Sequence, residues 1–261
     1  MNPQQPPLRA PTEEVLRLQL RTRTRPFSGS DEWVPVTFQV EWPTSETALL
    51  LCDVWDSHYC SGAVRRLEAM IPRMNAVVQT LRKRGVQIVH APSDTMEVYE
   101  GTPYRLRAQL APKVPLPEPR TIQEPPLPID DSDGGCDTGE EPRRAWTRQH
   151  PGIEIADPDA LSDRGEEIYA LFQQLGIKNM LIMGVHTNMC VLGRSFAIRQ
   201  MSRWGIRCVL VRDLTDAMYN PQRPPYVAHE TGTELVIQHI EQYWCPTVDS
   251  GQLLTDGLKG S

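Results

Sequence analysis

The chain lacks the marks of several large protein classes. No apolar run approaches the roughly 18–20 residues needed to cross a bilayer, so no membrane span is expected. Positive charge does not dominate: the net charge is -6 and the pI is about 5.6. That excludes a general nucleic-acid binder. No G-x-G-x-x-G follows any expected strand, which disfavours a nucleotide-binding oxidoreductase. The six cysteines form no CxxC pair, so neither a zinc ribbon nor a thioredoxin motif is present. The opening residues Met1 to Pro7 show no basic region followed by an apolar one, so no signal peptide is expected. The expectation is a cytoplasmic protein with reduced thiols. Lysine is scarce through the middle, where Lys113 is the only one between Lys83 and Lys178. No internal repeat is found.

What remains suits a globular domain. Hydrophobic residues make up 39% and charged residues 23% of 261 positions, enough for one large α/β domain or two small ones. The 24 prolines cluster, which points to long loops. Residues 1–12 read as a disordered, proline-rich leader. Residues 13–45 form an N-terminal extension, with alternating segments at Leu16–Arg25 and Trp33–Trp42 that suit a hairpin. The main domain spans 46–245, and 246–261 is a C-terminal tail.

Strand and helix patterns alternate within the main domain. Ala48–Val54 and Val86–His90 read as strands around a helix at Arg65–Arg84. Residues 91–151 interrupt the rhythm as a long insertion. Its acidic tract, Asp130–Glu141, lacks EF-hand spacing and reads as a solvated loop. Gly152–Ile155 reads as a strand. A helix to Leu175, the Met180–Met183 strand, a helix at Val191–Trp204, the Arg207–Val211 strand and a last helix at Tyr226–Tyr243 follow. The pattern predicts a three-layer α/β/α, Rossmann-like open sheet, mostly parallel, with an N-terminal β extension and a long inserted loop.

One junction stands out. The Met180–Met183 run stops at Gly184, a polar turn follows, and Cys190 opens the next expected helix. That places a thiol at the carboxyl edge of a strand, where open α/β sheets build their sites. A helix start favours a thiolate and a developing oxyanion. Asp53 closes the first strand at the same edge and is a candidate proton acceptor for Cys190. A buried structural cysteine and a loop-capping aspartate are the plain alternatives.

A strand ending in Asp53, then Gly184-Val185-His186-Thr187-Asn188-Met189-Cys190-Val191 and a helix, resembles the isochorismatase-like cysteine hydrolases. The resemblance covers roughly residues 46–243 without the insertion. It implies Cys190 as nucleophile and Asp53 as general base. It also implies a cis Val185–His186 bond and an oxyanion hole made by the N–H groups of His186 and Cys190. The family's third catalytic group is a lysine before the helix that precedes the cysteine strand. Ala145–His150 occupies that region with no lysine. Arg148 is the nearest cation there; Lys113 folding back, or no cation at all, are the other readings. An arginine favours a thiolate but does not exchange protons, since its pKa stays above about 12.

Candidate substrate contacts are Trp55, His58, Trp146, Gln149, His186, Asn188 and Tyr219. Trp55 and Tyr59 fit core packing equally well. Asp213 reads as a loop anchor, and Arg194 and Arg199 as surface or interface residues. Relatives that bind a metal use an Asp-x-His that Asp94 lacks, so no metal and no cofactor are expected; Asp56, His58 and Asp94 are the only plausible set. The resemblance implies a homo-oligomer acting on a small molecule. The expected activity is hydrolysis of a C–N bond in an amide, ureide or carbamoyl compound through a Cys190 thioester. The alternatives are a noncatalytic binder of a small molecule or a protein, suggested by the absent lysine, and vinyl-ether hydrolysis, which needs no thiol.

Overall fold

The computed structural model describes residues 4–10 and 12–255. In chain order the elements are β1 (Val15–Thr24), β2 (Val34–Pro43), β3 (Thr47–Cys52), α1 (Ser61–Lys83), β4 (Gln87–Ala91) and α2 (Pro103–Gln109). Then come β5 (Ala160–Leu161), α3 (Gly165–Leu175), β6 (Asn179–Val185), α4 (Cys190–Gly193) and α5 (Ile198–Arg203). β7 (Arg207–Asp216), α6 (His229–Tyr243), β8 (Thr247–Val248) and α7 (Gly251–Leu254) complete the described chain.

β3 is buried at every position, which explains its unbroken apolar run. Successive strand side chains point to opposite faces. Leu49 and Leu51 therefore join Leu181, Met183, Val209 and the α1 residues Met74, Val77 and Leu81. Leu50 joins Ile182, Leu210, Phe172, Phe196 and Ile240 on the other face. Each fully buried leucine contributes at most about 1.5–3 kcal/mol. Helices thus cover both faces, and the α/β/α layering is as the alternation implies.

The strand order is β2-β1-β8-β7-β6-β3-β4-β5. Strands β3 to β8 pair parallel among themselves, and β1 pairs antiparallel with both β2 and β8. The chain steps outward from β3 to β4 and β5, then returns to the far side of β3 as β6. The crevice above the carboxyl ends of β3 and β6 is therefore the topological switch point of the sheet, the place where open α/β sheets hold ligands.

Four local expectations are corrected. Gly152–Ile155 is no strand, because Ile153 N–H bonds to the His150 carbonyl (3.0 Å) and closes a turn; the strand there is β5. The helix expected at Val191–Trp204 is two short helices, since Arg194 is extended (φ -62°, ψ 153°). The last helix begins at His229 because Tyr226 sits at φ +60°. In the leader, residues 4–10 lie against the domain: Gln5 donates to the Arg107 carbonyl (2.8 Å) and Arg9 to that of Thr44 (3.2 Å). The leader residues 1–3 and 11, and 256–261 of the tail, fall outside the described residues.

Candidate active site

β3 delivers Asp53 to the switch point with the carboxylate fully buried and the backbone at φ +50°, a conformation Asp tolerates better than most residues. β6 delivers the facing segment. Gly184 pairs with Cys52 across the two strands at φ +124°. A Cβ there would lie 2.0 Å from the Cys52 carbonyl oxygen, so only glycine lets β6 lie this close to β3. The Val185–His186 peptide is cis. The turn 186–189 then brings Cys190 back over β3.

Asp53 Oδ1 accepts the Ser93 N–H at 2.8 Å, and Oδ2 accepts Arg194 Nε at 3.0 Å. Cys190 sits beside the same carboxylate. Burial raises the Asp53 pKa, against the lowering by Arg194, Cys190 and Ser93. The Cys190 thiol is pushed up to about 12, first by burial and then by the negative Asp53; Arg194 and the His186 backbone act the other way. At rest the sulfur is thus a thiol next to a carboxylate rather than a free thiolate. Among the described residues neither the His186 nor the Cys190 N–H has a hydrogen-bonded backbone oxygen. The His186 N–H already points at the Cys190 sulfur, and both N–H groups lie where an anion near the sulfur would sit.

The cation of this cluster is Arg194, not Arg148. Arg194 pairs with Asp53 and, through its other arm, with Asp94 at 3.6 Å. Arg148 is exposed and meets Asp56 only through its backbone, its N–H donating to the carboxylate at 3.3 Å and its carbonyl accepting the Asp56 N–H at 3.0 Å. Lys113 is exposed too, with no ion pair among the described residues. Neither nearby histidine can substitute as a cation near neutral pH. Burial lowers His58 to about 4, and burial followed by repulsion from His58 lowers His186 to about 3. The break between α4 and α5 is what turns Arg194 inward, so it is not the surface residue its helical position suggests. Arg199 is also engaged, with Glu124 at 2.7 Å.

Beside the cluster stands an aromatic wall. The Trp55 and Trp146 rings stack with centroids 4.1 Å apart and planes 10° apart. His58 lies parallel to Trp146 at 5.7 Å and edge-on to His186 at 4.9 Å. A narrow cleft of about 10 Å³, room for about one water, is lined here by Trp55, His58, His150, Val185 and His186, and Cys190 does not line it.

No protein-family model matches the sequence, and no curated protein matches it. Solved structures do. A cysteine hydrolase from Pseudomonas syringae pv. phaseolicola superposes with a TM-score of 0.53 at 13% identity, covering 82% of this chain and 94% of that one. A putative isochorismatase from Burkholderia xenovorans superposes with a TM-score of 0.50 at 12% identity, covering 80% and 86%. The chain has the isochorismatase-like hydrolase fold.

On this isochorismatase-like framework the remaining expected contacts divide. Trp55, His58, Trp146 and His186 gather in the aromatic wall, of which all but Trp146 line the cleft. Gln149 is turned inward, 3.1 Å from the buried His90 ring. Asn188 is spent on the Met218 backbone in both directions and on Asp131 at 2.7 Å. Tyr219 is fully buried, donating to the Arg223 carbonyl and accepting the Val227 N–H. These three hold the rim rather than face a ligand. Asp213 anchors Ser250 at 2.8 Å. The metal set does not form: Asp56 is occupied by Thr147 and Arg148, and Asp94 by Arg194.

The acidic tract is not simply solvated. Asp137 pairs with Arg66 at 2.7 Å, and Asp130 with Arg223 at 2.7 Å. Gly135 packs so tightly on the loop after β7 that a Cβ would meet the Met218 carbonyl at 2.3 Å. The insertion is therefore docked across the start of α1 and the rim of the cleft. Sequence reasoning missed Ser93 and Arg194. The signal for Arg194 was its spacing four residues beyond Cys190; nothing local marked Ser93.

Proposed function

We propose that the protein is a hydrolase that cleaves the C–N bond of a small amide, ureide or carbamoyl compound, using Cys190 as nucleophile. The observation that carries this reading is the convergence of Cys190, Asp53 and Arg194 at the switch point of the sheet. Asp53 takes the thiol proton as sulfur attacks the carbonyl carbon. The N–H groups of His186 and Cys190 stabilise the oxyanion. The C–N bond breaks, Asp53 returns its proton to the leaving nitrogen, and a thioester remains. Water then attacks the thioester, Asp53 receives its proton, and the thiol leaves with it. Arg194 stays charged throughout and carries no proton. It keeps Asp53 ionised in a site that burial would otherwise neutralise.

The flat wall of Trp55, His58 and Trp146 suits a planar carbonyl compound. Trp146 Nε1 is buried with no hydrogen-bond partner among the described residues, which leaves one N–H to meet a substrate acceptor. Arg194 also supplies the charge whose absence motivated a noncatalytic reading. The homo-oligomer implied by the resemblance belongs to this proposal and is checked by light scattering. The decisive experiment is ammonia or amine release across an amide, ureide and carbamoyl panel. Turnover that vanishes in Cys190→Ala and Asp53→Asn supports the reading. A vinyl-ether substrate that Cys190→Ala still cleaves would redirect it to C–O chemistry.

A further inference from the structure

Outside the cleft, Cys60, Cys136 and Glu140 bring two sulfurs and a carboxylate oxygen within 4.8 Å of one another, the only group of three such donors among the described residues. Cys60 immediately precedes α1 and is fully buried, and Cys136 lies in the docked insertion at 8% exposure. They are 76 positions apart and belong to one small cluster with Ala63 and Met218. The Cys136 sulfur is 3.2 Å from Glu140 Oε2, and the Thr138 hydroxyl is 3.4 Å from one sulfur and 3.5 Å from the other. The second Glu140 oxygen accepts the Ser61 N–H at 3.4 Å, which fixes the carboxylate over the sulfurs.

We propose that Cys60, Cys136 and Glu140 bind a zinc ion that staples the insertion to the start of α1. Zinc takes sulfur at about 2.3 Å and carboxylate oxygen at about 2.0–2.2 Å in tetrahedral array. Those bonds place neighbouring donors about 3.4–3.8 Å apart, a spacing this cluster reaches with small side-chain shifts. Soft thiolates select zinc over magnesium or calcium. Binding releases both thiol protons to solvent, since only the thiolate ligates. Asp137, 3.5 Å from the Cys60 sulfur, is committed to Arg66, which leaves the fourth position to water. The site is separate from Cys190, so its failure and that of the hydrolase reading are distinguishable. Its consequence is structural: the metal fixes Tyr59 and His58, whose ring nitrogen accepts the Cys60 N–H at 3.2 Å, beside the cleft.

The test is an anaerobic cobalt(II) titration of the reduced, chelator-treated full chain. The expected result is one equivalent of bound cobalt with thiolate charge-transfer absorption, displaced by zinc. The signal is lost in Cys60→Ser and Cys136→Ser, is unchanged in Cys190→Ala, and weakens at least about tenfold in Glu140→Gln. X-ray absorption of the zinc-loaded natural chain supplies a second readout independent of whether the serine variants fold, with two sulfur neighbours at about 2.3 Å expected. Absent charge transfer, a shell without sulfur, or a signal lost in Cys190→Ala overturns the proposal. So does an air-formed Cys60–Cys136 disulfide in a protein whose reduced form takes no cobalt.

Discussion

Replacing Arg194 by glutamine removes the one positive charge paired with Asp53 among the described residues while keeping a polar side chain. At a separation of about 3–4 Å and an effective dielectric of about 20, such a pair is worth about 4–5 kcal/mol. The Arg194 side chain is 33% exposed, so solvent screening reduces this to about 2–3 kcal/mol. Arg194 lowers the Asp53 pKa. Without it the carboxylate holds its proton to higher pH. Only the ionised form can accept the thiol proton. The acid limb of the kcat/KM profile of Arg194→Gln therefore moves alkaline. On the acid side of both limbs kcat/KM falls roughly 30- to 150-fold, the factor that about 2–3 kcal/mol gives, and the two profiles converge on the alkaline side. Arg194→Lys restores the limb.

Stability supplies an independent check with a fixed sign. The raised pKa means that the folded state binds the Asp53 proton more tightly than the unfolded chain does. This contribution therefore favours folding at low pH and is lost as pH rises through the folded pKa. Arg194→Gln raises that pKa further, so its melting-temperature deficit is greatest near neutrality and shrinks as pH falls toward the unfolded carboxylate value near about 3.9. An unshifted acid limb, or a deficit independent of pH, would refute the assignment of Arg194 as the charge that holds Asp53 ionised.

Further outcomes follow from the same geometry. Cys190 is the one cysteine that is not buried, so iodoacetamide labels it before the other five; because its thiol pKa is about 12, the rate keeps climbing above pH 8 instead of levelling off, as peptide mapping over a pH series will show. Gly184→Ala forces a Cβ against the Cys52 carbonyl at φ +124° and costs about 3 kcal/mol or more in urea unfolding; a loss under about 1 kcal/mol would show that β6 can move away. Gly135→Ala, at φ +70°, undocks the insertion, so limited proteolysis gains cuts within 130–141 while α1 stays protected. Trp146→Ala removes one face of the aromatic wall and raises KM about tenfold with a smaller change in kcat.

The sequence by itself determined the layered sheet and two of the three charged or nucleophilic groups at its centre. Runs such as Ala48–Cys52 and Met180–Met183 are short, unbroken and apolar, which fits strands covered on both faces in a chain that alternates them with helical patterns. Asp53 and Cys190 were legible because each follows such a run directly, and parallel strands bring their carboxyl ends to one edge. The cation was not legible. Arg194 lies on a segment whose helical pattern predicts an outward side chain, and only the break after Gly193, set by packing of Ser195 on Gly165, turns it toward Asp53. The same holds for the Cys60, Cys136 and Glu140 cluster and for the inward turn of Gln149, Asn188 and Tyr219. Contacts between residues tens of positions apart are decided by how loops close on the finished sheet. Local propensity carries no record of that closure.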